Sequence, residues 1–397
     1  MNNKIEVKNL YKIFGKNPQE AFPLIDEGLD KDEILDRTGN TIGVKDANIS
    51  VKEGEIFVIM GLSGSGKSSL LRCLNRLYEP DRGEISIDGT DVMDLEKNEL
   101  RKFREEKFGM VFQHFGLFPY RTVLGNAEFG LEIQNVSKTE RKERAKKALK
   151  RVGLDGWEDQ YPDQLSGGMK QRVGLARALA VDPDIFLMDE PFSALDPLIK
   201  TEMQDELLDL YEEVHKTIIF ITHDLDEALK LGDRIAIMKA GEIVQIGNHE
   251  EILTDAANDY VRDFVKNVNR SRVLTAQDIM TKPVSLLYEE DGEGLRTAMH
   301  KMRQEQISSI FVVDNDKKYQ GILRIEKALE GINRDQKDLA GLIEEVPIAT
   351  PGENLDDLFS KIAGLDTPLP VVDDNNKLLG IIIKSNVLAN LTAEEVL

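Results

Sequence analysis

A single cysteine and a single tryptophan in 397 residues leave this chain with no disulfide framework. The lone thiol, Cys73, has no internal partner, which fits a reducing compartment, and its place on a helix after a glycine-rich loop fits a small buried apolar role. Long apolar runs are missing as well. IFVIM at 56–60 is among the longest, far below the ~20 residues of a spanning helix. The opening MNNKIEVKNL lacks a charged start followed by an apolar stretch, so no secretory signal is expected and the chain is expected to stay inside the cell. Excess positive charge is absent too: 51 Lys and Arg against 72 Asp and Glu give a net charge of −21, which argues against nucleic acid as the main partner.

What is there describes an ordinary globular protein, 41% hydrophobic and 31% charged, too long for one core and therefore expected to form two or three domains. Residues 3–13 and 41–60 read as strands, separated by a helical insertion, AFPLIDEGLDKDEILDRTG, at 21–39. A helix follows at about 67–77, and GEISIDGTDV at 83–92 alternates like an edge hairpin. Residues 93–160 carry mostly 3.6-residue periodicity and read as a helical subdomain, placed at about 93–180. Thereafter IFLMDE at 185–190, a helix at 199–215, TIIFITHD at 217–224 and the hairpin RIAIMKAGEIVQIG at 234–247 give the alternation of a parallel sheet. A domain over 1–265, a linker at 266–275 and two further units at 276–335 and 336–397 are expected. The last two repeat one grammar: GLRTAMHKMRQEQ, SSIFVVDND and GIL recur as NLDDLFSKIAG, LPVVDDNNK and GIII. Each copy of about 55 residues leaves a face unburied, so the copies should pack on each other.

The chemistry concentrates in the first domain. In GLSGSGKS, a strand runs into a glycine-rich turn (Gly61, Ser63, Gly64, Ser65, Gly66) and then a helix opening with Lys67, Ser68 and Ser69. Such a turn closes backbone N–H groups around a β-phosphate, the lysine reaches the β and γ oxygens, and the Ser68 hydroxyl suits Mg²⁺. Asp189 ends an apolar strand where its carboxylate meets the ligand face of the sheet and holds the metal through water. Glu190 follows at once, placed to orient or deprotonate an attacking water. LSGGMKQ at 165–171 presents Ser166, Gly167 and Gly168 ahead of a helix, a second anion-ready N-terminus for which the half-site itself has no use. The helix KTERKERAKKALKR at 138–151 is either a solvated face balanced by its own glutamates or a contact for anionic lipid headgroups.

This order of motifs over residues 1–265 resembles the ATPase subunit of an ATP-binding-cassette (ABC) transporter. The resemblance implies an α/β fold: a P-loop ABC-type nucleotide-binding domain with a helical subdomain, followed by an α+β tandem pair that resembles cystathionine-β-synthase (CBS) domains. It implies ATP and Mg²⁺ as ligands, Glu190 as catalytic base, Gln113 (in VFQHFGLFP) contacting Mg²⁺ and the attacking water, and His223 bonding the γ-phosphate. Phe14, with Tyr11 close by, aligns with the aromatic that stacks on adenine. Phe112, Phe115 and Phe118 are core anchors or contacts for a membrane subunit. His114, His215, His249 and His300 have no motif context and are expected at surface or packing positions. Ser166, Gly167 and Gly168 are expected to bind the γ-phosphate held by a second copy, so two chains sandwich two ATP molecules head to tail with SALD at 193–196 in the interface.

The insertion, VFQHFGLFPYRTVLGNAEFGLE and MDEPFSALDPLIKTEMQDELLDL are similar to the ATPases of glycine betaine/proline betaine importers. That implies a peripheral subunit at the cytoplasmic face of the membrane, working with permease subunits and an external substrate-binding protein. Carnitine or choline as cargo, a soluble regulatory ATPase and an ATPase acting on ribosomes or nucleic acid are the alternatives. The last usually needs two fused cassettes or a long coiled coil, and neither is here. The CBS pair is expected to regulate. Adenosine-binding members place Thr or Ser and then Asp after GI, whereas GILRIEK (Arg324, Lys327) and GIIIKSN (Ile383, Asn386) have lost that carboxylate, which argues against AMP or ATP. The resemblance implies cyclic di-AMP instead, its phosphates met by Arg324 or Lys384, and ionic strength is the other candidate input.

Overall fold

The computed structural model describes residues 3–113, 115–266, 274–288, 294–336 and 338–387. The expectation for His114 and most of the expected linker at 266–275 lie outside them. The chain divides into two compact units, Met1–Val265 and Lys266–Leu397.

The first unit opens with β1 (Asn3–Phe14), α1 (Ala21–Asp26), α2 (Lys31–Thr38), β2 (Thr41–Lys52), β3 (Ile56–Met60) and α3 (Lys67–Leu74). It continues with β4 (Arg82–Ile87), β5 (Thr90–Asp91), α4 (Lys97–Lys107), β6 (Phe108–Val111), α5 (Val123–Ala127), α6 (Phe129–Ile133) and α7 (Lys138–Arg151). After α8 (Gly167–Val181) come β7 (Ile185–Asp189), α9 (Pro197–Val214), β8 (Thr217–Thr222), α10 (Leu225–Leu231), β9 (Arg234–Lys239), β10 (Glu242–Gly247), α11 (His249–Thr254) and α12 (Asp259–Val265).

Six strands in the order β10-β9-β3-β8-β7-β6 form the central sheet, parallel from β9 to β6, with β10 added antiparallel. β3, β7 and β8 are buried along their whole length, as continuous apolar strands must be when both faces of a parallel sheet are covered. A second, antiparallel sheet, β2-β1-β4-β5, packs its Ile5, Val7, Ile49 and Ile85 onto the same core as Phe57, Leu71, Leu187 and Ile221. Each such side chain contributes about 1.5–3 kcal/mol by leaving water. Cys73 belongs to this core, and burial pushes its thiol up to about 12, leaving it inert. The span read as helical holds one exception. β6 is an edge strand of the central sheet, and its β-ladder with β7 overrides the helical periodicity around it.

The second unit contains α13 (Ala276–Ile279), β11 (Leu286–Tyr288), α14 (Leu295–Gln304), β12 (Ser309–Val313), β13 (Tyr319–Arg324) and α15 (Ile325–Asn333) in its first copy. The second copy has α16 (Leu355–Ile362), β14 (Leu369–Val372) and β15 (Leu378–Ile382). Their turns repeat atom for atom: the Asp314 carboxylate accepts from the N–H groups of Asp316 and Lys318, and Asp373 from those of Asn375 and Lys377. Lys317 and Asn376 both take left-handed backbone there, with φ of 66° and 60°. The copies share a core in which Phe311, Val313, Tyr319 and Ile322 meet Val372, Leu378 and Ile381. The first strand of the second copy shrinks to one bridge, Ala349 to Val371, because Pro347 and Pro351 supply no N–H to a ladder.

Candidate active site

The nucleotide pocket is assembled where strands of the central sheet end. β3 runs straight into the glycine-rich turn, whose conformation needs glycine twice over. Gly66 has φ 105°, and a Cβ there would lie 2.2 Å from the Gly43 carbonyl oxygen, so the loop backbone presses directly on β2. Lys67 opens α3 and donates from Nζ to the carbonyls of Gly61 (2.8 Å) and Leu62 (3.1 Å), curling over the turn. Burial pulls its ammonium below the usual lysine range, opposed by Glu190, whose Oε1 lies 3.8 Å away, and by Asp189. A polyphosphate would complete what those carboxylates only begin.

Beyond the turn, Ser68 donates from Oγ to Asp189 Oδ1 at 2.8 Å, and Arg72 donates to Asp189 Oδ2 at 3.2 Å. Ser68 and Arg72 sit one helical turn apart on α3, so their shared face delivers both to the end of β7. Glu190 is the hub. Gln113 donates from Nε2 to its Oε2 at 3.2 Å, and His223 Nδ1 lies 3.1 Å from the same oxygen. These side chains converge from the loop after β6, the end of β7 and the end of β8. With Phe14, Thr41, Ile42 and Gly43 they line a cavity of about 620 Å³ that also includes Leu62, Ser63, Gly64 and Ser69. Phe14 rather than Tyr11 borders it. The Phe14 ring lies so close to Gly43 that a Cβ there would come within 2.5 Å of it, and its edge meets the Tyr78 ring with centroids 5.2 Å apart. Gly61, Ser65 and Asp189 do not line the cavity; Gly61 and Asp189 contact it through Lys67 and Ser68, and Ser65 and Asp189 are buried.

Oxygen donors from Ser68, Asp189 and Gln113 form a hard, small set of the kind Mg²⁺ takes alongside phosphate oxygens, and no cluster of three or more His, Cys, Asp or Glu competes among the described residues.

Ser166, Gly167 and Gly168 are absent from this lining. Ser166 caps α8, its Oγ accepting from Met169 N at 3.3 Å, and both Ser166 and Gly167 face solvent. They neighbour α9: a Cβ on Gly168 would lie 2.6 Å from Ile199 Cγ2, and Asp196 of the SALD segment caps that helix. α8 also holds the Gln113 loop. Arg177, buried on α8, donates to the carbonyls of Gly116 (2.6 Å) and Phe115 (3.1 Å) and lies over the Phe112 ring. Phe112 and Phe118 are partly exposed, and Tyr120 is 94% exposed beside them.

In the second unit, Arg324 pairs with Glu344 at 2.9 Å, and Lys384 donates to the Ala363 carbonyl at 2.9 Å. A cleft touching both copies, about 270 Å³, is bordered by Val284, Ser308, Phe311, Pro368 and Ile381, and neither cation lines it.

Sequence reasoning did not reach Arg72, Thr41, Gly43 or Lys31, which all bear on the pocket. Arg72 had a readable signal in its spacing from Ser68; the others enter through pairing between β1 and β2 and through the insertion, which spacing does not encode.

A fold and pocket of this kind define the ATP-binding engine of a membrane transporter. Residues 44–193 match the ABC transporter family, and residues 276–334 and 337–393 match the CBS domain. The chain belongs to the family of ATP-binding subunits of ABC transporters. It is 50% identical over 392 residues to the glycine betaine/proline betaine transport system ATP-binding protein ProV of Salmonella typhimurium, covering 98% of both chains. It is 51% identical over 395 residues to the glycine betaine/carnitine transport ATP-binding protein GbuA of Listeria monocytogenes, covering 99% of both. Among solved structures, a dimeric ATP-binding cassette in a post-hydrolysis state with ADP and Pi is 36% identical, with a TM-score of 0.52 over 62% of this chain and 98% of that one. No helix among the described residues is long and apolar enough to cross a membrane.

Proposed function

We propose that this chain hydrolyses ATP to energise import of glycine betaine or a related quaternary amine through a membrane permease, peripherally at the cytoplasmic face and served by an external substrate-binding protein. The observation that carries the reading is the convergence of Lys67, Ser68, Gln113, Glu190 and His223 on one cavity in a chain about half identical to betaine-transport subunits throughout. In this reading the loop N–H groups and Lys67 hold the β- and γ-phosphates, and Phe14 stacks on adenine. Ser68, Asp189 and Gln113 would hold Mg²⁺, which neutralises charge on the phosphates when bound. Glu190 accepts a proton from the attacking water, and His223, released from Glu190, donates to the γ-phosphate.

Because Ser166, Gly167 and Gly168 lie outside their own pocket, they serve the pocket of a second copy, head to tail. The ADP- and Pi-bound dimer of a cassette 36% identical supports the pairing of two copies. Carnitine is the second cargo, favoured by the 51% identity to a subunit of a glycine betaine/carnitine system.

Regulation falls to the CBS pair and to charge. With Arg324 and Lys384 engaged by Glu344 and the Ala363 carbonyl, a cyclic di-AMP phosphate would have to displace those partners. On α7, eight basic residues stand against two acidic ones, and only Ala145, Ala148 and Leu149 are buried, so its cationic face is available to anionic lipid and screened within ~8 Å at physiological salt. The test is uptake of labelled glycine betaine and carnitine by the full transport complex in anionic liposomes with ATP inside, at low and high internal salt, with and without cyclic di-AMP. Betaine uptake that rises with salt is expected; hydrolysis without uptake of either amine would discard the cargo, and uptake indifferent to salt would discard the charge sensor.

A further inference from the structure

We propose that Lys31, carried by the 21–39 insertion, is a further cation for the phosphates of the bound nucleotide, which makes the insertion a working wall of the pocket. The proposal rests on the nucleotide reading of that cavity.

Lys31 is the first residue of α2 and lines the 620 Å³ cavity together with Ser63, Gly64 and Lys67. Its Nζ donates to the Gly64 carbonyl at 3.2 Å, at the apex of the phosphate loop. Its position is built rather than incidental. The Asp30 carboxylate caps α2 by accepting from the N–H groups of Asp32 and Glu33, and Glu33 returns a bond to the Asp30 N–H. Ile34 is buried in a small core with Phe22, Ile25, Ile13 and Ile42, so the start of α2 is tied to β1 and β2. The far end is fixed by left-handed Gly39 and by Asn40, which donates to the Asn17 carbonyl.

Among the described residues no carboxylate pairs with Lys31: those of Asp30 and Glu33 cap α2, and that of the adjacent Asp32 makes no ion pair with it. A half-exposed ammonium whose partner is a neutral carbonyl, at the rim of a site for a polyanion, gains more from phosphate oxygens than from that carbonyl. Lys67 meets the phosphates from inside the loop; Lys31 would meet them from outside.

The test compares wild type, Lys31→Gln and Lys31→Arg as full chains, titrated with Mg²⁺ and β,γ-imido-ATP by calorimetry at low and high salt, with thermal melting as a folding control. Gln keeps an N–H donor on a side chain one bond shorter and removes the charge, and Arg restores the charge with a longer reach. The expected result is affinity about five-fold weaker for Lys31→Gln at low salt, the scale of an exposed charge pair, near-wild-type affinity for Lys31→Arg, and a difference that shrinks in high salt. Equal affinity for wild type and Lys31→Gln, or equal loss in both variants, overturns the proposal alone. A wild-type chain that binds no nucleotide overturns the proposal together with the nucleotide reading.

Discussion

Glu190 occupies its place through a backbone that few side chains adopt, with φ of 47° directly after β7. The turn is held by its N–H bonded to the Ile221 carbonyl and by its own carbonyl accepting from Ser193. Left-handed backbone at a non-glycine residue costs on the order of 1–3 kcal/mol, and that cost is met because the conformation aims one carboxylate at Gln113, His223 and Lys67 together. Glu190→Gln keeps the shape and loses the proton acceptor. Phosphate release by the purified chain is expected to fall at least ~100-fold while nucleotide binding persists; undiminished release would move the base elsewhere. At this scale the sequence was highly informative. The placement of Lys67, Ser68, Asp189 and Glu190 around one site was legible because it depends on fixed steps along a strand, a turn and a helix. Lys31 was not, because nothing local links it to a loop some thirty residues later.

Helix α8 joins two segments that the sequence presents as separate motifs. Its N-terminus displays Ser166, Gly167 and Gly168, and three turns on, Arg177 clamps the loop that carries Gln113. Burial disfavours the Arg177 charge, and the two carbonyls and the Phe112 ring are what compensate it. Arg177→Met fills much of the volume and strands both carbonyls. A loss of about 2–4 kcal/mol in urea unfolding is expected, with ATP hydrolysis impaired beyond what the stability loss explains; an unchanged urea midpoint would show that the clamp is dispensable. The strand β6 makes the same point about elements. Its four residues sit in a helical stretch and become a strand only because β7 offers an open edge. In the second CBS copy, Pro347 and Pro351 leave the first strand as a single bridge, Ala349 to Val371, which the sequence repeat did not disclose.

At the scale of the whole molecule, the decisive fact is that the phosphate loop and the Ser166–Gly168 segment do not meet within one chain. The phosphate loop lines the cavity, while Ser166 and Gly167 stand exposed at the start of α8. Lys67→Ala and Ser166→Arg chains should each be nearly inactive alone. Mixed, they are expected to regain roughly a quarter of wild-type hydrolysis if chains pair at random, since half the pairs then contain one intact site of two; no recovery on mixing would refute head-to-tail pairing. What the sequence determined by itself was which residues gather at the ends of the central strands, most of the order of strands and helices, and the repeat in the tail. Those depend on contiguous residues, on periodicity and on turn chemistry. Tertiary structure alone decided that Glu190 gathers Gln113 and His223, that Arg177 ties α8 to the Gln113 loop, and that the insertion brings a lysine to the phosphate loop. Each of these is a contact between segments far apart in the chain, and its energy comes from a sheet register or a shared core that no local stretch of residues contains.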